Sequence, residues 1–161
     1  MKKVFLIAGV IVIIVAWFLF RPEKLFINQN VSETFPTETS SEIQNSPTIL
    51  SQGAFHGVAH ETKGTATIYQ LPDGQQVLRL TGFETSNGPD VRVYIGQAED
   101  ANDNDTVTSA GYIELGPLKG NVGDQNYDIP ADTDLENYHS VTIWCKRFGV
   151  NFGTAPLMAK N

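Results

Sequence analysis

The pattern of apolar and polar positions divides the chain into three stretches. The first is a block of seventeen uncharged residues, beginning with Val4 and ending with Phe20, bracketed by Lys2-Lys3 and Arg21-Pro22. As a helix it would rise about 25 Å, the lower limit for crossing a bilayer core. Lys2, Lys3 and Arg21 can snorkel to the interfaces and cover the shortfall. A cleaved signal peptide would have a shorter apolar region followed by a small-x-small site. Here the run closes with Trp17-Phe18-Leu19-Phe20, and no cysteine follows for lipid attachment. Residues 1–21 are therefore predicted to be a single-pass transmembrane signal anchor in the lipid bilayer of the cell membrane. Two lysines and the α-amino group precede the span and Arg21 and Lys24 follow it, a mild positive-inside bias. It predicts a cytoplasmic N-terminus with the rest of the chain outside, on the periplasmic or cell-surface side.

In the second stretch, residues 22–51, isolated apolar residues sit without period among Ser, Thr, Glu, Gln, Asn and Pro. Such a segment buries too little apolar surface to offset its ordering entropy, which predicts a flexible linker.

The third stretch, 52–161, has the period of strands. Gly64-Thr65-Ala66-Thr67-Ile68-Tyr69 and Gln76-Val77-Leu78-Arg79-Leu80 flank Pro72-Asp73-Gly74, where a preset φ, a side-chain cap and a permissive glycine make a turn, so the three predict a hairpin. Val91, Val93 and Ile95 alternate with Arg92, Tyr94 and Gly96, the mark of a half-buried strand. Tyr112-Ile113-Glu114-Leu115 and Val141-Thr142-Ile143-Trp144-Cys145 give two more. No long segment has helical periodicity, and the one modest helical candidate is 132–138. Short strands punctuated by turns predict a single all-β domain, a β-sandwich over 52–161.

Charge narrows the function classes. The net charge is −7, and all of it belongs to residues 51–161, which hold seven bases and fourteen acids. An acidic domain without a basic stripe lacks the footprint a phosphate backbone requires, which excludes nucleic acid as a partner. One cysteine excludes an intrachain disulfide framework and a Cys-only zinc site. The chain has no G-x-S-x-G elbow, P-loop or dinucleotide fingerprint, which argues against a conventional hydrolase or transferase.

The candidate chemistry is sparse. Cys145 lies two residues before Arg147, so on a strand they share a face and the guanidinium would favour the reactive thiolate. Val141 and Ile143 share that face too, which predicts a thiol buried as a small hydrophobe. Both readings stay open on the sequence. His56 and His60 are four apart, and His139 precedes the Trp-Cys strand. Imidazole with thiolate is a sensible ligand set for haem iron, copper or zinc, although no pair has a close metal spacing and no C-x-x-C-H exists for covalent haem. Trp144 and Tyr94 can stack a cofactor or a sugar ring, or pack as core. Asp90 and Asp124 read first as turn caps. In the acidic run 99–105, Asp100, Asn102 and Asn104 fit positions 1, 3 and 5 of an EF-hand loop. Asp105 stands where its turn glycine belongs and Gly111 where its final Glu belongs, so a solvated loop is expected.

Several motifs together resemble the DM-thirteen domain family, a β-sandwich module found beside DOMON domains. They include Gly53-Ala54-Phe55 with His60 downstream, Gly64-Thr65-Ala66, Asp73-Gly74 and Leu78-Arg79-Leu80 leading to Phe83. Asn87-Gly88-Pro89-Asp90-Val91-Arg92-Val93-Tyr94 and Leu115-Gly116-Pro117-Leu118-Lys119-Gly120 follow. Then come Gly123-Asp124-Gln125-Asn126-Tyr127-Asp128-Ile129-Pro130, Ser140-Val141-Thr142-Ile143-Trp144-Cys145-Lys146-Arg147-Phe148 and Phe152-Gly153-Thr154-Ala155-Pro156-Leu157. The resemblance implies an electron-transfer or redox module working with a redox partner protein. It rests that chemistry on the cysteine of the Trp-Cys motif, here Cys145, acting as a bare thiol or holding a group such as haem, and His60 matches its pattern best among the histidines. No one cofactor is assigned: haem and copper are the candidates, with Cys145, His60 and Trp144 as candidate binding residues and His56, His60 and His139 as candidate metal ligands, beside the plainer reading of these histidines as exposed or hydrogen-bonded strand residues. The alternative is a non-catalytic binding or structural module presenting loops 84–90, 98–110 and 116–124 to a protein or glycan.

Overall fold

The computed structural model describes residues 9–15, 17, 27–36 and 46–160. Residues 9–15 and 17 are helical. Among the described residues no helix is long and apolar enough to cross a membrane, and most of the expected anchor, 1–21, lies outside them.

Among the described residues eleven strands build two sheets: β1 (Asn30–Ser32), β2 (Thr48–Ala54), β3 (His56–Gly57), β4 (Lys63–Gln70), β5 (Gln76–Glu84), β6 (Val91–Gly96), β7 (Tyr112–Pro117), β8 (Val122–Ile129), β9 (Ser140–Cys145), β10 (Val150–Pro156) and β11 (Met158–Ala159). One sheet has the order β1-β8-β5-β4-β2-β11 and the other β3-β10-β9-β6-β7. The β4–β5 hairpin forms where the sequence predicts it. Asp73 Oδ1 accepts the Gln75 N–H at 2.9 Å, Gly74 N donates to Leu71 O, and Gly74 adopts φ 89°.

The pleat sends alternate residues inward. Ala66, Ile68, Leu78 and Leu80 of one sheet meet Val93, Ile95, Val141 and Ile143 of the other in one core cluster. Phe55 and Phe83 pack edge to face within it, centroids 5.3 Å apart. The polar side chain of Gln125 is sealed beside this core. Gln125 Oε1 accepts from Tyr127 Oη at 2.7 Å and from the Lys119 and Gly120 amides, while its Nε2 donates to Gly120 O, so the β7–β8 connection is pinned with its amide satisfied.

Two local expectations change. The candidate helix 132–138 is only a 3-10 turn, Leu135–Asn137, because seven residues with two Asp near its start favour capping over propagation. Conversely, the acidic run expected as a loop leads into a helix, Asn104–Ala110, capped by Asp103 Oδ1 accepting the Thr106 N–H at 2.6 Å.

The larger correction concerns the linker. Within 22–51, residues 30–32 form β1, parallel to the edge of β8, and β2 starts at Thr48, before the expected boundary at 52. The polar segment is held by partners elsewhere in the chain. Glu33 accepts from Lys119 Nζ at 2.8 Å and from the Asn126 N–H at 2.7 Å; Arg79 donates to Glu33 O and stacks over Phe35, whose ring meets Tyr69 edge to face. A Cβ on Gly123, which has φ +105°, would lie 1.9 Å from Val31 O, so glycine is what lets β1 approach.

Gly123→Ala is therefore expected to expel β1 and lower stability by about 1–3 kcal/mol, read as raised hydrogen exchange at Asn30–Ser32 with the β4–β5 hairpin unchanged. A second expectation concerns pH. Burial pushes the Glu33 carboxyl upward, but its hydrogen bonds from Lys119 and Asn126 and the Lys119 and Arg79 charges outweigh this and hold it below its ordinary 4.5. A depressed carboxyl stabilises the fold above its unfolded pKa and loses that contribution as pH falls through its folded value. The β1 amides should thus lose protection on acidification below pH 4.5 and show no such change between pH 6 and 8, roughly the range where native stability is usually maximal.

Candidate functional site

Strand β9 positions the candidate chemistry, and its six residues are all buried. Val141, Ile143 and Cys145 point into the intersheet core, and Ser140, Thr142 and Trp144 point to the opposite face. That outer face would be solvated in an open sandwich. Here the β6–β7 connection folds over it, laying Ala98, Ala101 and Val107 on Tyr94 and Trp144 as a second hydrophobic cluster. Asn151 secures the cover: its Nδ2 donates to Ala101 O at 2.6 Å and its N–H to Asn104 Oδ1 at 2.8 Å.

Three aromatic rings run diagonally across β9, β6 and β7. The Trp144 and Tyr94 rings are tilted by 28° with centroids 6.4 Å apart, and Tyr94 and Tyr112 stack with centroids 4.3 Å apart and planes 1° from parallel. Trp144 and Tyr94 are buried, at 6% and 1% exposure, and Tyr112 at the end of the line is 44% exposed. Burial, then the Glu114 charge and Tyr112, drive the Tyr94 phenol far above its ordinary pKa, so it keeps its proton. The seam where the cover meets Tyr94 and Tyr112 is too tight for a water molecule. Two buried polar atoms in this layer, Ser140 Oγ and Asn151 Oδ1, have no hydrogen-bond partner among the described residues.

Cys145 lies on the other side of the same strand. It is fully buried, opposite Val91 and Val150 on neighbouring strands. Of the two readings of its face, burial among aliphatics is the one observed, and Arg147 falls beyond the strand, exposed in the β9–β10 turn. The histidines are dispersed. His56 Nε2 pairs with Asp100 Oδ1 at 2.9 Å. The His60 ring packs on Phe152, centroids 4.1 Å apart. His139 precedes β9 at the end away from Cys145, about 20 Å along the strand. Among the described residues no group of three His, Cys, Asp or Glu side chains could hold a metal ion. The expected ligand set of Cys145, His56, His60 and His139 is thus not assembled. Haem or copper does not fit at Cys145, whose sulfur faces packed side chains, and Trp144 stacks on Tyr94 rather than lining a cofactor cleft.

The acids that the sequence singled out have structural partners. Asp124 takes Arg79 Nη2 at 2.8 Å and the Gly82 N–H at 2.8 Å, bracing an irregularity in β5. Asp90 takes Arg92 Nε at 2.6 Å, and Asp100 and Asp103 are held by His56 and the helix start. A separate open concavity of about 450 Å³, lined by Gln97, Ile113, Asp132, Asp134, Asn137 and Tyr138, contains neither thiol nor imidazole. Tyr112 is the residue the sequence reading passed over. The signal was present: outward positions on three predicted strands each hold an aromatic ring.

Fold and site together define a small all-β module with its one thiol locked inside and a line of aromatic rings leading outward. The chain belongs to the DM13 family, whose model, described as "Electron transfer DM13", matches residues 54–157. No curated protein and no solved structure matches the chain. The matched span leaves out β1 and β11 and takes in only the last residue of β2.

Cys145→Ala should lower unfolding stability by about 1–3 kcal/mol, the cost of emptying a buried site, measured by urea titration. Spectra of the wild type and the variant, each mixed with haem or copper, should superimpose; a band present only in the wild type would mean that the sulfur is reached.

Proposed function

We propose that this chain is an electron-transfer module held at the membrane by residues 1–21, with its domain outside the cytoplasm, and that the Trp144–Tyr94–Tyr112 stack carries the electron. The observation that carries this reading is the pair of parallel rings 4.3 Å apart, one buried and one exposed, continuous with Trp144. Membership of a family described by electron transfer supports the class of function. Burial of Cys145 directs the chemistry away from the thiol, since only an accessible thiolate attacks, ligates or cycles through oxidation.

In this reading an oxidised carrier protein docks at Tyr112 and withdraws one electron. The vacancy is shared inward to Trp144 across the Tyr94 ring, which serves as a bridge between its two neighbours and is not itself oxidised. When the vacancy resides on Tyr112, the phenolic proton passes to water. A reduced carrier returns one electron, Tyr112 regains a proton from water, and the chain ends unchanged. The dry seam protects the intermediate radical, because excluding water suppresses side reactions.

Flash oxidation of the full chain by a ruthenium complex in solution tests this through the transient absorption of the tryptophanyl radical. Trp144→Phe should remove the buried component of that signal. Tyr112→Leu should slow its appearance severalfold while changing stability by only about 0.5 kcal/mol, as an exposed site does, and Tyr94→Phe, which keeps the ring, should leave the rate near wild type. Equal rates in the wild type and Tyr112→Leu would overturn the stack as the route. Release of the chain from membranes by alkaline carbonate would overturn the anchor.

A further inference from the structure

Docking of the linker fixes which end of the sandwich faces the bilayer. Strand pairing gathers the start of β6, β8 and β10 and the end of β5, β7 and β9 at one end. The chain also enters there: Asn30 pairs with Val122, Asn87 Nδ2 donates to Ile27 O, and Gln29 N donates to Asn121 Oδ1. Only residues 22–26 separate Arg21 from Ile27, so whatever their conformation they span at most about 20 Å. A 30-residue leash would let the domain roam. This connection keeps one end against the membrane.

That end has the surface chemistry of a lipid contact. The β9–β10 turn carries Lys146, Arg147 and Phe148 with no acid among them, and Phe148 is 68% exposed, a large ring left in water. Ile27 at the same end is 59% exposed. At the opposite end, the β4–β5 turn and the β8–β9 connection carry Asp73, Asp132, Asp134 and Glu136 and no Lys or Arg. The near end holds both signs, but its acids have cationic partners: Asp90 takes Arg92, Glu114 takes Arg92 and Lys146, and Glu61 takes Lys63, which leaves Arg147 beside Phe148 as the cation of the turn facing the side where the chain arrives. Basic residues beside an exposed aromatic suit the interface of an anionic membrane, the cations meeting phosphate and the ring entering the acyl boundary.

We propose that the end bearing Ile27 and the 146–149 turn is a lipid-contact surface, with Phe148 inserted among the headgroups of an anionic bilayer and Arg147 against their phosphates. This rests on the reading of residues 1–21 as an anchor. It stands the domain upright, with the 71–75 turn and the acidic 130–138 connection farthest from the membrane.

The test uses the full chain in vesicles of phosphatidylcholine with phosphatidylglycerol, spin-labelled at Phe148→Cys or, as a control at the far end, Gln75→Cys. Cys145 is sealed and takes no label in the folded protein. The expected result is a label at 148 that relaxes with oxygen and is shielded from a water-soluble nickel chelate, and the reverse at 75. Arg147→Glu should reduce the shielding at 148, as should vesicles of phosphatidylcholine alone. Equal access of the chelate to both labels, in a chain that stays with carbonate-washed vesicles, overturns the lipid contact and leaves the anchor standing. A chain that carbonate releases overturns the anchor and this inference together.

Discussion

Burial of β9 on both faces is the constraint from which the rest of the molecule follows. A strand in a two-layer sandwich ordinarily has one face in the core and one in water. In β9 the inner face meets the opposing sheet, and the outer face meets the 97–110 cover through Trp144, Ala101 and Val107. Because successive side chains leave a pleated strand on opposite sides, Trp144 and Cys145 belong to different layers although they are adjacent in sequence. The Trp-Cys pair therefore cannot act as one site. Its ring looks toward Tyr94, and its sulfur looks into packed aliphatic side chains that separate it from water.

The sequence made the layers legible wherever period-two alternation was strong. β4, β5, β6 and β9 were readable from their own residues, and so was the turn at Asp73 and Gly74. β8 and β10 were not, because Gly123, Asp124, Gln125 and Asn126, and then Asn151, Gly153 and Thr154, break the apolar alternation. Those polar groups are buried through specific partners: Gln125 with Tyr127 and Gly120, Asn151 with Ala101, Thr154 with Val141 O. Such pairing depends on residues far away in the chain, and no local pattern announces it. The site divides likewise. That Cys145 faces the core could be read from Val141 and Ile143, and the resemblance to an electron-transfer family could be read from ordered motifs. The stacking of Tyr94 on Tyr112 depends on register between β6 and β7, which includes a bulge at Val93/Tyr94 and lies beyond sequence pattern.

The docked linker belongs to the same class of hidden information. Residues 27–36 are polar and aperiodic, and by composition they should remain unordered. Their order is supplied by the folded domain: an unpaired β8 edge, a glycine at 123 with space for a carbonyl, and Lys119, Arg79 and Asn126 placed to receive Glu33. An exposed strand edge is also a template for pairing with other chains. Covering it with a segment of the same polypeptide closes that edge and shortens the connection to the N-terminal apolar run in one step.

On the proposed reading, these features bear on how a chain with a single cysteine would serve redox chemistry outside the cytoplasm. An exposed thiol there would be oxidised irreversibly or captured in a mixed disulfide. Sealing Cys145 removes that hazard but also removes the sulfur from service. Aromatic rings do not need to be touched by an oxidant to lose an electron, since overlap with a neighbouring ring suffices, and they tolerate a dry, rigid layer that would silence a thiol. A buried Trp144 reached through Tyr94 from Tyr112 has such a layer around it, and the Tyr94 phenol is held in its neutral form by that same burial. Burial on both faces of β9 thus accounts by one cause for the sealed sulfur and for the buried ring to which the proposed route leads.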